Sequence, residues 1–542
     1  RILAVKGVGG FHLMCDAANE LAVIRLRKNK HRPHKPLALM VPAQGEDQLQ
    51  AVRELVDLDD PSVEQDLLDQ SRPIVLLPRN SQAPVCNEIA PDLNELGVML
   101  PPSPLHQLLA QSFGKPQVAT SGNISGEPVL TDDQEAETRL GEVVEGWLTH
   151  NRQIVRPADD SVKRLINGRP RMIRLGRGTA PVEGTLPFQL DQPVLAVGGH
   201  MKNTVALAWG NRYVISPHIG ELSAMRSMEI FQQVIADLQQ LYQVQVESIV
   251  CDLHPHYASS RWAHEQGLPC HEVQHHRAHA SALAMDNSAQ SIALQEKGLV
   301  FTWDGVGYGD DGSLWGGETF VGRPGYWQRV ATFRDFRLLG GDRVAYEPWR
   351  SSAALHWELE EPYAGNENEK LAHAAWQSGL NSIPSSAVGR LFDAAAAILD
   401  IVHTTSHEGE APMRLEAIAE QIDTPDSLPF HDEGGLLRID WQPIFYAMKD
   451  NSRPVEHRAG YFHSLLANTV ARMAQHYVET EQIAYVGLSG GVFQNRRLTE
   501  LIATQLQALG IRYRLSENIP ANDGGISYGQ LIEYAAIHGK DN

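Results

Sequence analysis

Two stretches of this sequence open alike, and that repetition limits the available folds more than any other feature. The first runs "PVLAVGGHMKNTVALAWGNRYVISPHIGEL" from Pro193, the second "KGLVFTWDGVGYGDDGSLWGGETFVG" from Lys297. Each alternates apolar runs of strand length with glycine-rich turns, and each is followed by helical sequence. A strand–turn–strand unit used twice reads as an internal duplication of fold. The copies lie too far apart and differ too much to be turns of a solenoid. The expected product is a domain over 186–542 made of two lobes, roughly 194–299 and 300–542. Between about Asp342 and Glu481 the second lobe reads as mostly helical, with "SSAVGRLFDAAAAILD" its clearest amphipathic segment.

Ahead of this, short apolar runs such as "RPIVLLP" and "PQVATSG" alternate with helical stretches, so residues 1–185 read as a separate α/β domain. The stretch "GRGTAPVEGTLPFQLDQP" between the two parts is rich in Gly, Pro and Thr and keeps no periodicity, which marks the boundary. The fold class is therefore α/β (mixed α+β), and 542 residues suffice for both cores.

Charge narrows the function. The formal net charge of −20 argues against a general grip on nucleic acid, which excess Lys and Arg would drive. No apolar run is long enough to span a bilayer and no signal peptide opens the chain, so no membrane partner and a cytoplasmic location are expected. Cys15, Cys86, Cys251 and Cys270 form no C-x-x-C pair, which excludes a zinc ribbon and fits a reducing compartment. The chain begins at Arg1, directly in strand-like sequence, as expected of a chain whose N-terminal part is missing. Locally, Arg1, Lys6, Arg25, Arg27, Lys28, Lys30, Arg32 and Lys35 face only Asp16 and Glu20, which makes either an anion site or an exposed basic helix face.

The glycine turns suggest what kind of anion. "AVGGHMKNT", "TWDGVGYGDDG", "GLSGGVFQN" and "PANDGGISYGQ" each follow an apolar strand. Glycine lets backbone N–H groups approach phosphate oxygens, and a helix start after such a turn favours negative charge. One such turn is an ordinary connection; four in one domain are a much stronger sign, and nucleotide contacts are expected at Lys202, Asn203 and Thr204, at Asp304 and Gly305, and at Gly490, Gly491 and Asn495. The arrangement is similar to the duplicated, actin-like (ribonuclease H-like) ATPase fold, whose lobes each present a phosphate hairpin.

Histidines add a second theme. "HEVQHHRAHASALA" carries four from His271. Cys270–Val273 reads as a short strand, with a helix starting near His275. On that helix His275 and His279 share a face, while His276 lies about 100° round it. The pair either caps and lines the helix or binds an ion together with carboxylates from elsewhere. Asp304, at the end of "LVFTWD", and Asp523, in "PANDGG", would complete a set of two His and two Asp suited to Fe2+ or Zn2+; otherwise they are a turn cap and a helix cap.

In the first part Lys30 and Arg32 precede one strand, and Ser121 and Asn123 in "ATSGNISGEP" follow another. The cations can neutralise a triphosphate, and the small polar loop can donate to its oxygens or serve as a surface turn.

Together these stretches resemble known families. "KHRPHKPLALMV" with "TSGNISG" resembles the YrdC-type domain, which makes carbamoyl-adenylates from ATP, and its Lys, Arg, Ser and Asn tetrad falls on Lys30, Arg32, Ser121 and Asn123. "HHRAH", "SGGVFQN" and "NDGG" resemble the Kae-type carbamoyltransferase domain, an actin-like fold with a His/His/Asp metal site. The domain order, with "AVKGVGGFHLMCDA" and "CDLHPHYASSRWA", is similar to the hydrogenase maturation carbamoyltransferases of the HypF family over essentially the whole chain. That family normally begins with an acylphosphatase domain and two zinc fingers, and neither is present in this sequence. The resemblance implies ATP with Mg2+ as cofactor and carbamate, derived from carbamoyl phosphate, as substrate. It implies catalytic roles for the tetrad, further nucleotide contacts from Lys6 and Ser161, and metal ligation by His275, His279, Asp304 and Asp523. The implied acceptor is the C-terminal cysteine of a HypE-type partner, for cyanide ligand synthesis in [NiFe]-hydrogenase. Carbamoyl transfer to tRNA or to a small hydroxyl compound is opposed by the acidic balance and by the domain order respectively. A non-enzymatic actin-fold interaction module would need the glycine turns but not the metal ligands.

Overall fold

The computed structural model describes residues 1–123, 126–286, 295–363 and 367–541; Ile124 and Ser125 of "TSGNISG" lie outside them. The first part is built on a nine-stranded mixed sheet running, in spatial order, Gly146–Leu148, Leu3–Lys6, Phe11–Asp16, Gln117–Ser121, Leu39–Met40, Glu95–Met99, Ile74–Pro78, Val162–Ile166 and Arg169–Arg174. The helix Glu20–Asn29 starts where Asn19 accepts a hydrogen bond from the Ala22 amide, and buries Ala22, Val23 and Leu26 against this sheet. Its C-cap is Lys30, and His31 turns left-handed at φ 53°, so the helix end delivers Lys30 and Arg32 to the end of the strand Gln117–Ser121.

The second part confirms the duplication. One sheet orders its strands Arg212–Ile215, Ala206–Trp209, Val194–Ala196, Ser248–Asp252, Cys270–Val273; the other orders Gln328–Phe333, Leu314–Gly322, Gly298–Tyr308, Tyr485–Ser489, Tyr513–Leu515. In both, the first three strands in sequence form an antiparallel meander, and the last two add parallel to the other side of the first. The return to a parallel strand needs a crossover. In the first lobe this is the helix Met225–Tyr242; in the second it is the long helical stretch that ends with the helix Val455–Glu481.

Two local expectations are corrected. The apparent linker contains the strand Val182–Thr185, which pairs antiparallel with Arg212–Ile215 at the edge of the first lobe. Its Val-Glu-Gly-Thr sequence has too short an apolar alternation to read as a strand, and the neighbour supplies the hydrogen bonds. The helical stretch also holds the strands Ser382–Ser385, Phe430–Glu433 and Leu436–Ile439, whose order comes from pairing with the second lobe's sheet.

Each fifth strand leads to a helix, His275–Ala284 in the first lobe and Ile526–His538 in the second, and these equivalents pack on one another. Contact is closest at Gly529, where a Cβ would stand 1.9 Å from the Ala278 carbonyl oxygen. The lobes therefore meet through the helix that carries the histidines.

Candidate functional site

At that meeting point four ligand-type side chains converge. His275 and His279 project from the first two turns of their helix, Asp304 from the strand Gly298–Tyr308, and Asp523 from the turn opening the helix Ile526–His538. One donor atom from each lies within 4.8 Å of the others. His279 Nε2 is 2.9 Å from Asp304 Oδ2 and 3.7 Å from Asp523 Oδ1, and His275 Nε2 is 3.8 Å from both carboxylates. The pairing of Gly298–Tyr308 with Leu314–Gly322 shifts register between Trp303 and Gly307, which re-aims Asp304.

The protonation geometry prepares this site for a cation. His275 Nδ1 lies 2.7 Å from Asp252 Oδ2, which keeps a proton on Nδ1 and makes Nε2 the nitrogen that faces the carboxylates. His275 Nε2 and His279 Nδ1 are buried without a hydrogen-bond partner. Burial opposes charge on His275, yet Asp252 and the two site carboxylates raise its pKa. Burial likewise opposes charge on Asp304 and Asp523, while the imidazoles hold both low. Two buried carboxylates and an orphaned imidazole nitrogen fit a divalent ion held by two His and two Asp. His276 is not in this set: its Nδ1 meets Gln274 at 3.2 Å and its ring lies against Gly307. His271 turns to the rings of Tyr534 and His538.

All four glycine turns arrive here. A Cβ on Gly199 would stand 3.8 Å from Asp523 Oδ2, and one on Gly491 would stand 2.8 Å from Asp304 Oδ1. Gly490, at φ 99°, lies so close to Trp303 that a Cβ would meet its carbonyl at 2.2 Å. The Gly305 amide donates to Asp304 Oδ1 at 2.7 Å.

The polar residues of these turns mostly hold the turns together. Asn203 donates to the Val197 and Gly199 carbonyls at 2.8 and 2.6 Å, and Thr204 Oγ1 donates to the Gly524 carbonyl at 2.9 Å. Asn495 caps the helix Arg496–Ala508 and contacts His463. Lys202 reaches out of its turn to Glu408 at 2.8 Å, and burial notwithstanding, Glu408 holds it cationic.

In the first part the tetrad is also assembled. Lys30 Nζ donates to the Ser121 carbonyl at 2.6 Å, the Asn123 carbonyl at 2.9 Å and Asn123 Oδ1 at 2.7 Å, and Ser121 Oγ donates to Asn123 Oδ1 at 2.8 Å. Burial, then the Arg32 charge, pulls the Lys30 ammonium down to about 7. Arg32 Nη2 donates to the Pro36 carbonyl at 2.5 Å. Lys6 pairs instead with Asp133 at 2.7 Å, and Ser161 is fully buried, its hydroxyl 2.6 Å from Thr179 Oγ1.

Carbamoyltransferase HypF of Synechocystis sp. is 38% identical over 560 residues, covering 98% of this chain and 71% of the relative. The chain belongs to the HypF carbamoyltransferase family. Carbamoyltransferase HypF of Rhodobacter capsulatus is 39% identical, over 99% of this chain and 71% of its own length. Family models match residues 1–176 (described as "Telomere recombination", Sua5/YciO/YrdC), 189–286 (HypF Kae1-like domain) and 300–530 (carbamoyltransferase, Kae1-like domain, second subdomain). A crystal structure of full-length HypF in the phosphate- and nucleotide-bound form matches with a TM-score of 0.92 at 32% identity, over 99% of this chain and 71% of that one. As a HypF family member the chain is a carbamoyltransferase.

Sequence reasoning missed several positioning groups in this chain. Asp252, which orients His275, sits in "VCDLHPH" 23 residues away and has no periodic signature. Arg27 is buried and donates to the carbonyls of Arg32, Pro33, Lys35, Glu88 and Ile89, shaping the loop that carries the tetrad cations. Its place among many basic residues hid it. His12 lies in a recess shared with Ser121, between Asp160 at 2.9 Å and His106 at 3.3 Å.

Proposed function

We propose that this chain makes carbamoyl-AMP in its first domain and transfers the carbamoyl group in its second, the two-lobed unit whose sheet the strand Val182–Thr185 joins. The supporting observation is that two separate polar constellations, one phosphate-directed and one cation-directed, are assembled in a single chain of the HypF family. In the first, a carbamate oxygen attacks the α-phosphorus of Mg2+-bound ATP, the bond to the β,γ unit breaks, and pyrophosphate leaves. Lys30 and Arg32 neutralise the triphosphate; Ser121 and Asn123 orient it through the loop they share with Lys30. That the related HypF was crystallised in a phosphate- and nucleotide-bound form supports nucleotide binding by this chain.

In the second domain a thiolate attacks the carbamoyl carbon and AMP leaves. His275, His279, Asp304 and Asp523 would hold one divalent ion, Fe2+ or Zn2+, whose chemistry there is Lewis-acid polarisation of a carbonyl. The surrounding glycine turns bring backbone N–H groups to the adenylate phosphate, and burial limits hydrolysis of the mixed anhydride. The thiolate belongs to the C-terminal cysteine of a HypE-type protein. The net charge of −20 disfavours tRNA as the acceptor.

Passage between the sites is internal. Supporting this, the domains are docked by polar contacts: half-buried Arg164 bridges Glu95 and Glu416 at 2.8 and 3.0 Å, and buried Arg171 donates to the Ser516 carbonyl at 3.1 Å. The charges of Arg32, Arg174 and Lys202 all act on Lys35, so cations from both domains share one region. Chromatography of the ATP products tests the proposal: AMP and pyrophosphate are expected, dependent on a carbamate source, and ADP as the main product would overturn it.

A further inference from the structure

Among the described residues one other cluster has the donors of a metal site, and it lies outside the carbamoyl chemistry. Cys251, His264 and Cys270 each offer a donor atom within 4.8 Å of the others. Cys251 is in the strand Ser248–Asp252 and Cys270 opens the adjacent parallel strand Cys270–Val273; Ile249 pairs with Cys270 and Cys251 with Glu272, so all four side chains share one face. The helix Ala258–Glu265 crosses that face and brings down His264. The sulfurs are 3.5 Å apart, and His264 Nε2 is 3.3 Å from Glu272 Oε1.

We propose that Cys251, His264 and Cys270 bind a zinc ion. Two thiolates on one zinc at ~2.3 Å each lie roughly 3.5–3.8 Å apart in a tetrahedral site. A disulfide needs about 2.05 Å. The observed 3.5 Å fits the first arrangement. Two sulfurs and an imidazole form a soft-to-borderline set that selects Zn2+ over Mg2+ or Ca2+. Binding releases the thiol protons to solvent and involves no change of oxidation state. Entry is open, since the His264 and Glu272 side chains are 48% and 46% exposed.

The site would clamp the strand–helix–strand unit directly ahead of the histidine helix. Cys251 adjoins Asp252, the residue that orients His275, and Cys270 lies one short strand before it. Its effect on the carbamoyl site is therefore indirect, through the placement of Asp252.

Cobalt titration of the full chain, stripped of metal and kept reduced, tests the proposal. The carbamoyl site has no sulfur, so thiolate-to-cobalt charge-transfer absorption reports this cluster alone. The expected result is such a band, displaced by Zn2+, lost in Cys270→Ser and Cys251→Ser, weakened in His264→Ala, and retained in His279→Ala and Cys15→Ser. Cys270→Ser should also bind one zinc fewer per chain by elemental analysis. Because Cys270 is only part-buried, that variant keeps the test valid if Cys251→Ser fails to fold. No charge-transfer band in the reduced wild-type chain, a band surviving both serine variants, or metal-free closure of the pair to a disulfide would each overturn the site. None of these outcomes bears on the ATP products, so the zinc site and the carbamoyl reading fail separately.

Discussion

The two polar constellations are built on opposite principles. In the first domain Lys30, Ser121 and Asn123 satisfy one another: all three ammonium protons of Lys30 have oxygen partners within 2.9 Å. At the lobe interface the balance is incomplete: His279 Nε2 meets Asp304 at 2.9 Å, but His275 Nε2 is buried and unpartnered, 3.8 Å from each of two carboxylates. The first arrangement keeps its shape without a ligand and asks phosphate to exchange hydrogen bonds. The second carries a standing electrostatic cost that a cation removes. One site is satisfied by its own chain, the other by what it binds.

The contrast is sharpest in His279→Ala. Removing a ligand from a set with no spare donor should abolish tight metal binding and transfer from supplied carbamoyl-AMP, while adenylate formation continues. Elemental analysis and the two half-reactions check this; a fully loaded variant would show that the carboxylates suffice.

Lys30→Ala should do the converse. Adenylate formation should fall on the order of 100- to 1000-fold, the usual cost of a lost charge-stabilising donor, with transfer intact. Loss of both half-reactions in a folded protein would break the two-site comparison.

Asp252→Asn probes pre-organisation within the metal site itself. It replaces the carboxylate that fixes the His275 tautomer with a neutral amide, which can also turn its NH2 toward Nδ1, and removes no ligand, so metal affinity should drop by about 10- to 100-fold. A chelator competition measures it, and an unchanged affinity would deny Asp252 its orienting role.

The smallest expected effect concerns pH. Burial and the Arg32 charge lower Lys30 to about 7 from its ordinary range. Below that value the side chain is cationic and ready for phosphate; above it a proton must be taken up on binding. ATP affinity should therefore weaken as pH rises through about 7, with proton uptake on binding, whereas a permanently charged group would give neither. Calorimetry in buffers of different ionisation enthalpy reads the uptake directly.

How much was legible before the structure follows the range of the interactions. Cys270–Val273 as a strand and His275 as the helix start were both readable, because Pro269 and the four-residue histidine spacing are local signals. So was the turning away of His276, since helical geometry alone sends it round the axis. The strand Val182–Thr185 was not, because its pairing partner begins at Arg212. Nor was the approach of Cys251 to Cys270, which depends on two strands becoming neighbours in register. Asp252 and Arg27 escaped for the same reason: their hydrogen bonds reach 23 residues along the chain in one case and 62 in the other.

What this sequence determined by itself is therefore periodic or local: the doubled strand–turn–strand openings, the glycine turns, the face shared by His275 and His279, and the small polar loop after Thr120. Steric limits on the backbone and the helical repeat act within a few residues, so such features are written in short stretches. Only the tertiary structure decided which carboxylates meet those histidines, which donors stay unpaired, and that Lys30 is held by the Ser121–Asn123 loop. Those outcomes depend on burial, and burial depends on how two lobes and a further domain close on one another.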